Sequence, residues 1–147
     1  MNAMLTSTHP AGLRVRHVPL TTGLAAVAEA RAQVGAIVRA WQVPVDAYVV
    51  ALLTSELVTN AVRNNAVRNE ANPTVMLDVT CSSGRLRVDV HDTSRAMPAP
   101  ADVPADAETG RGLIIVAALA DEWGFYPTPD GKAVYFTLAF QSGGNAK

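Results

Sequence analysis

Val75-Met76-Leu77-Asp78-Val79-Thr80-Cys81, then Ser82-Ser83-Gly84, then Arg85-Leu86-Arg87-Val88-Asp89-Val90-His91-Asp92 is the stretch that decides the architecture. Val75, Leu77, Val79 and Cys81 alternate with polar neighbours, and Leu86, Val88 and Val90 do the same beyond the turn. A period of two on both sides of a Ser-Gly turn predicts an antiparallel hairpin with one buried face. Asp92 continues the Leu86-Val88-Val90 series, whereas His91 continues Arg85-Arg87-Asp89, so Asp92 is expected to point toward the apolar side.

Upstream of the hairpin the period changes. Leu24, Val27, Ala28, Val34, Ile37, Val38 and Trp41 recur at steps of three and four, which predicts an amphipathic helix from Thr22 to near Trp41. Pro44 and Asp46 suit the start of a second helix, which runs to about Ala66, and Asn64, Asn65, Asn69, Asn72 and Pro73 end it in a polar loop. On that helix Val50, Leu53, Leu57, Val58 and Ala61 supply apolar bulk, while Glu56, Asn60 and Asn64 share one face. Ahead of both helices, Leu13, Val15 and Val18 read as a short strand with Arg14 and Arg16 on its other side.

Downstream, residues 95–109 hold three prolines among Ala and Asp and show no period, which reads as a mobile loop. Gly110-Arg111-Gly112 then leads into the apolar run Leu113 to Leu119, a third helix. Two strands follow, Glu122 to Tyr126 and Lys132 to Phe140, joined across Pro127-Thr128-Pro129-Asp130-Gly131. Gly131-Lys132 lacks the upstream glycine of a phosphate-binding loop, so Lys132 reads as a solvated strand residue. The expected fold is α/β, an α+β two-layer sandwich: a mixed, mainly antiparallel sheet of about five strands with three helices on one face. It occupies residues 13–140 as one domain, between loose tails at 1–12 and 141–147.

Composition narrows the function. The chain has 147 residues, a net charge of -1 and no basic stripe, which argues against a nucleic-acid partner. One cysteine and no Cys/His spacing of the zinc type leave neither a disulfide framework nor a metal cluster to expect. No signal-like or membrane-length apolar run occurs, so a cytoplasmic protein is expected, away from membranes.

Three groups then stand out: Glu56 with Asn60 on a helix, Asp92 with Ser94 at a strand end, and Gly110 with Gly112 before Leu113. Taken singly, these are a surface carboxylate, an Asx-type turn and a glycine-shaped junction. In this order, however, Ser55-Glu56-Leu57-Val58-Thr59-Asn60-Ala61-Val62-Arg63, His91-Asp92-Thr93-Ser94 and Gly110-Arg111-Gly112-Leu113-Ile114-Ile115-Val116 resemble the N box and two glycine boxes of the GHKL ATPase superfamily. More narrowly they are similar to its actinobacterial anti-sigma-factor serine/threonine kinase branch.

The resemblance implies a Bergerat-type ATP site. Asn60 would offer its amide oxygen to Mg²⁺, a hard cation that prefers oxygen. Glu56, one turn away, would be the catalytic base for an acceptor hydroxyl. Asp92 would accept from the adenine amino group, with Ser94 assisting through water. Gly110, Arg111, Gly112 and Leu113 would receive the phosphates at a helix N-terminus, and 95–109 would form the ATP lid.

The implied activity is transfer of the γ-phosphoryl of ATP to a Ser/Thr of an anti-anti-sigma-type protein, with a sigma factor as a second partner and self-association into a homodimer left open. The competing expectation is a GHKL-fold binding module that regulates a partner by contact alone. A histidine-kinase catalytic module ranks last, for want of a phosphoacceptor helix pair.

Three departures bear on that choice. Ser94 and Ala96 stand at glycine positions, Asn64 stands where the branch often has histidine a turn beyond the asparagine, and Ala133 replaces the threonine of a G-x-T-x-W pattern. The last removes a hydroxyl that the resemblance implies in the adenine network.

Overall fold

The structure, a computed structural model, describes residues 7–8, 12–21, 23–67, 74–93 and 108–141. Along the chain these form β1 (Ser7–Thr8), β2 (Arg14–Leu20), α1 (Ala25–Ala40), α2 (Ala47–Val67), β3 (Val75–Ser82), β4 (Arg85–Asp92), α3 (Glu108–Leu119), β5 (Glu122–Thr128) and β6 (Gly131–Ala139). The strands make one sheet in the order β1-β2-β3-β4-β6-β5, and the helices cover one face of it. The expected two-layer α+β fold is the observed one. No parallel pair occurs among the described strands, because β6 enters between β4 and β5 antiparallel to both.

The β3–β4 hairpin closes through Ser83 and Gly84, at φ 52° and 75°, the left-handed pair that a two-residue turn needs to match strand twist. Its register sets Leu77 opposite Val90 and Val79 opposite Val88, and all four are buried with Val134, Phe136 and Leu138 of β6. Over them lies α2, between α1 and α3. Asp46 starts α2 by accepting at Oδ1 from the amides of Tyr48 and Val49, at 2.9 and 3.1 Å.

The buried stripe Ala26, Ala30, Val34, Ile37 and Val38 holds α1 down. It ends in a Schellman motif: Gln42, at φ 54°, donates to the carbonyl of Arg39 while Val43 donates to that of Val38.

Some boundaries differ from expectation. Ser7–Thr8, assigned to the tail, pair with β2. In β2 the arginines share a face with Val18, since Arg14, Arg16 and Val18 sit opposite Cys81, Val79 and Leu77. Arg14 Nη1 reaches the carbonyl of Trp41 at 3.2 Å, placing a cation where the α1 dipole is negative; that contact draws the charge inward at the sheet edge. Glu108 and Thr109, assigned to the lid, begin α3, while the rest of 95–109 lies outside the described residues. No helix among the described residues is long and apolar enough to cross a membrane.

The uncovered face of the sheet carries a polar network. Asp78 accepts from His17 Nδ1 at 2.5 Å and from His91 Nε2 at 2.9 Å. Asp89 accepts from Arg87 Nε and Nη2 and from the Tyr126 hydroxyl, and Arg87 lies 3.9 Å above the Tyr135 ring. Burial raises the Tyr126 hydroxyl to about 12, helped by its bond to Asp89.

The hydrogen bond to Asp78 raises His91 above 6.5 against the opposing effect of burial. Burial pushes Asp78 up, but the bonds and charges of His91 and His17 bring it below 3.8 on balance. The raised His91 value contributes stability that is full below 6.5 and is lost as pH rises through the folded value. The lowered Asp78 value contributes stability that is full above 3.8 and is lost as pH falls through its own. Denaturant midpoints of wild type and His91→Leu should therefore differ most between these values and converge above the His91 folded value; a gap constant up to pH 9 would exclude the coupling.

Candidate functional site

Three junctions bring the separated sequence groups to one region. The first joins α2 to α3. Glu56 and Asn60 lie half buried one turn apart on α2, and α3 approaches them at Gly112. A β-carbon on Gly112 would fall 2.5 Å from Glu56 Oε1, closer than atoms of that kind approach, so this glycine makes room for the carboxylate. Gly112→Ala should swing the Glu56 carboxylate aside at little net cost in stability, because the end of a flexible side chain can move and alanine gains about 1 kcal/mol in helix propensity. It should still bring about a 10²-fold loss in any reaction that needs Glu56 in register. Denaturant titration and a turnover assay read the two effects separately, and a folded variant at full rate would refute the positional role.

Because α3 begins at Glu108, Gly110 and Gly112 lie inside its first turns rather than ahead of it. The helix's free N–H groups are therefore those of its first residues, through Arg111. The anion-accepting end sits about a turn earlier than the Leu113 start expected from sequence. Leu113 itself is 3% exposed and belongs to the core. Glycine in a helix costs about 1 kcal/mol against alanine, and the Glu56 contact explains why it stands at 112.

The second junction ties the end of α2 to the end of β4. Asn65, 4% exposed, donates from Nδ2 to the carbonyl of Thr74 at 3.2 Å. Its Oδ1 accepts from the amide and hydroxyl of Thr93, at 3.3 and 3.1 Å. The residue after Asp92 is thereby fastened to the helix that carries Asn60. From the sequence Asn65 reads as part of the polar loop that ends α2, yet it falls four residues after Ala61 and eight after Leu57, on the buried stripe.

The third junction is an ion pair. Asp92 points to the helix-covered side, as its phase predicts, and is buried there. Lys132 Nζ donates to both of its oxygens, at 3.0 and 2.8 Å, with the two side chains 0% and 1% exposed for lysine and aspartate. Lys132 is thus not a solvated strand residue. It stands opposite Asp92 in the β4–β6 register and continues the buried series Val134, Phe136, Leu138.

Gly131 makes this possible: a β-carbon there would overlap the Asp92 carbonyl and lie 2.7 Å from Thr93 Cα. Ala133 pairs with His91, on the opposite face, so a threonine at 133 would not have faced Asp92, and that departure has no bearing on the carboxylate. Ser94 lies outside the described residues.

On the uncovered face, a cleft of 460 Å³ reaches from His17, Asp78 and His91 to Thr128 and Asp130. It includes none of Glu56, Asn60 or Gly112, but Thr74, Asp92 and Thr93 of the second and third junctions stand in its lining.

A comparison with curated proteins returns no match. Residues 20–138, in contrast, match the family described as the histidine kinase-like ATPase domain, and ATP binding is the property that goes with that match. The matched span runs from the last residue of β2 into β6 and contains every residue of the three junctions, and the chain belongs to the histidine kinase-like ATPase domain family.

Proposed function

We propose that the protein is a Mg²⁺-ATP-dependent serine/threonine kinase of the anti-sigma type, acting in the cytoplasm on an anti-anti-sigma-type acceptor and sequestering a sigma factor as a second partner. The observation that carries this reading is Glu56, seated against Gly112 at the opening of α3 and one turn from Asn60. A carboxylate there takes the proton of an acceptor hydroxyl as its oxygen bonds the γ-phosphorus and ADP departs, a contribution of about 10²–10⁴-fold. The rest of the rate comes from positioning and charge neutralisation.

The Asn60 amide is a hard oxygen donor, half buried, and suits Mg²⁺ with phosphate and water in the remaining positions. When bound, that ion offsets the charge of the β- and γ-phosphates. The first turn of α3, with Gly110 and Arg111, supplies amides to the same phosphates. Asp92 receives the adenine amino group, and Asn65 holds the adjoining Thr93 backbone in place.

Radiolabelled ATP, magnesium and a candidate acceptor protein test the reading. Phosphoserine or phosphothreonine that vanishes with Glu56→Gln supports the kinase. A stable complex without transfer supports the contact-only module, the reading favoured by the hold of Lys132 on Asp92.

A further inference from the structure

The carboxylate assigned to the purine is already engaged. Both oxygens of Asp92 accept from the Lys132 ammonium, at 3.0 and 2.8 Å, with neither side chain open to solvent. Charge-assisted bonds of this kind are roughly twice as strong as neutral ones, and the 6-amino group of adenine is a neutral donor. It therefore competes for Asp92 against a stronger donor that is already in place.

The backbone leaves the lysine little freedom to withdraw. Gly131 packs directly on the Asp92–Thr93 main chain, which fixes the Lys132 backbone across from Asp92, and the side chain lies beside Val134 and Phe136 in the buried series.

We infer that Lys132 sets the nucleotide affinity and base preference of the site: its ammonium must leave Asp92, or stand beside the adenine amino group, for ATP to bind. This rests on the reading of Asp92 as the base-recognising carboxylate. A cation next to a 6-amino donor is unfavourable, while a purine with a 6-oxo acceptor and an N1–H donor fits the pair as it stands, the ammonium donating to O6 and the carboxylate accepting from N1–H. Lys132 accordingly weakens ATP binding and narrows the preference for ATP over ITP.

Isothermal titration of the full chain with Mg-ATP and Mg-ITP tests this on wild type, Lys132→Met, Lys132→Gln and Asp92→Ala. Lys132→Met removes the charge at similar length. It should bind ATP about tenfold tighter or more, with a rise in the ATP-to-ITP affinity ratio. Lys132→Gln keeps a neutral donor for Asp92 and should fall between the two; it decides the question if the methionine variant does not fold.

An unchanged or weaker ATP affinity and an unchanged ratio in a folded Lys132 variant would overturn the inference. Asp92→Ala separates this from failure of the underlying reading. If it binds ATP as wild type does, Asp92 does not read the base and both ideas fall; if it loses ATP while the lysine variants behave as wild type, only the lysine's role is lost.

Discussion

Glu56→Gln should lower phosphoryl transfer by about 10²–10⁴-fold while leaving the dissociation constant for Mg-ATP within a few-fold of wild type. The substitution keeps the size and shape of the side chain, so its contact with Gly112 survives and α3 is not displaced. What it removes is the capacity to accept a proton from the attacking hydroxyl. Binding energy drawn from Asp92 and the α3 amides is untouched, so the loss belongs in turnover and not in the apparent affinity for ATP. Single-turnover transfer with the acceptor in excess measures this directly. A rate equal to wild type would show that Glu56 is a spacer between two helices, and a rate lost together with ATP affinity would assign it to binding.

Asp92→Asn is expected to cost about 3–5 kcal/mol of folding stability, because it leaves the Lys132 ammonium buried without its counter-charge. Against a total of about 5–15 kcal/mol for a typical domain, that is a large share. The pair's own net worth is smaller than this number, since removing both charges removes both desolvation penalties together. Asp92→Asn combined with Lys132→Met should therefore be more stable than Asp92→Asn alone, a non-additivity that a double-mutant cycle measures from urea midpoints. Additive effects would mean that water reaches one of the two groups and that the pair is not sealed as its exposure indicates.

The hairpin, both long helices and the inward direction of Asp92 are legible in the sequence because each rests on a local period. Alternation over Leu86, Val88, Val90 and Asp92 needs only the next residue but one, and the structure keeps it. Lys132 was misread on residue type, as a charge that ought to seek water. Yet the alternation of Val134, Phe136 and Leu138 extends back to it, and only the register with Asp92, forty residues away, supplies the reason a lysine fits there. Arg14 and Arg16 were placed on the wrong face by the same habit of assigning charges outward.

The start of α3 was set too late because glycines normally interrupt a helix. What tolerates Gly112 is the Glu56 carboxylate of another element, which no local pattern reveals. Asn65, in turn, looked like one of several asparagines at a helix end, and its partners Thr74 and Thr93 lie on segments that the helix period does not reach.

Strand β5 is the outer member of its side of the sheet and carries Pro127 opposite Lys132, one pair in from the Thr128–Gly131 closure. Hydrogen-bonded and open pairs alternate along an antiparallel ladder, so the position taken by Pro127 is one whose amide would have faced away from β6. The free rim of the molecule thus lacks a donor where an incoming strand would need one, which discourages fibril-like templating by identical chains.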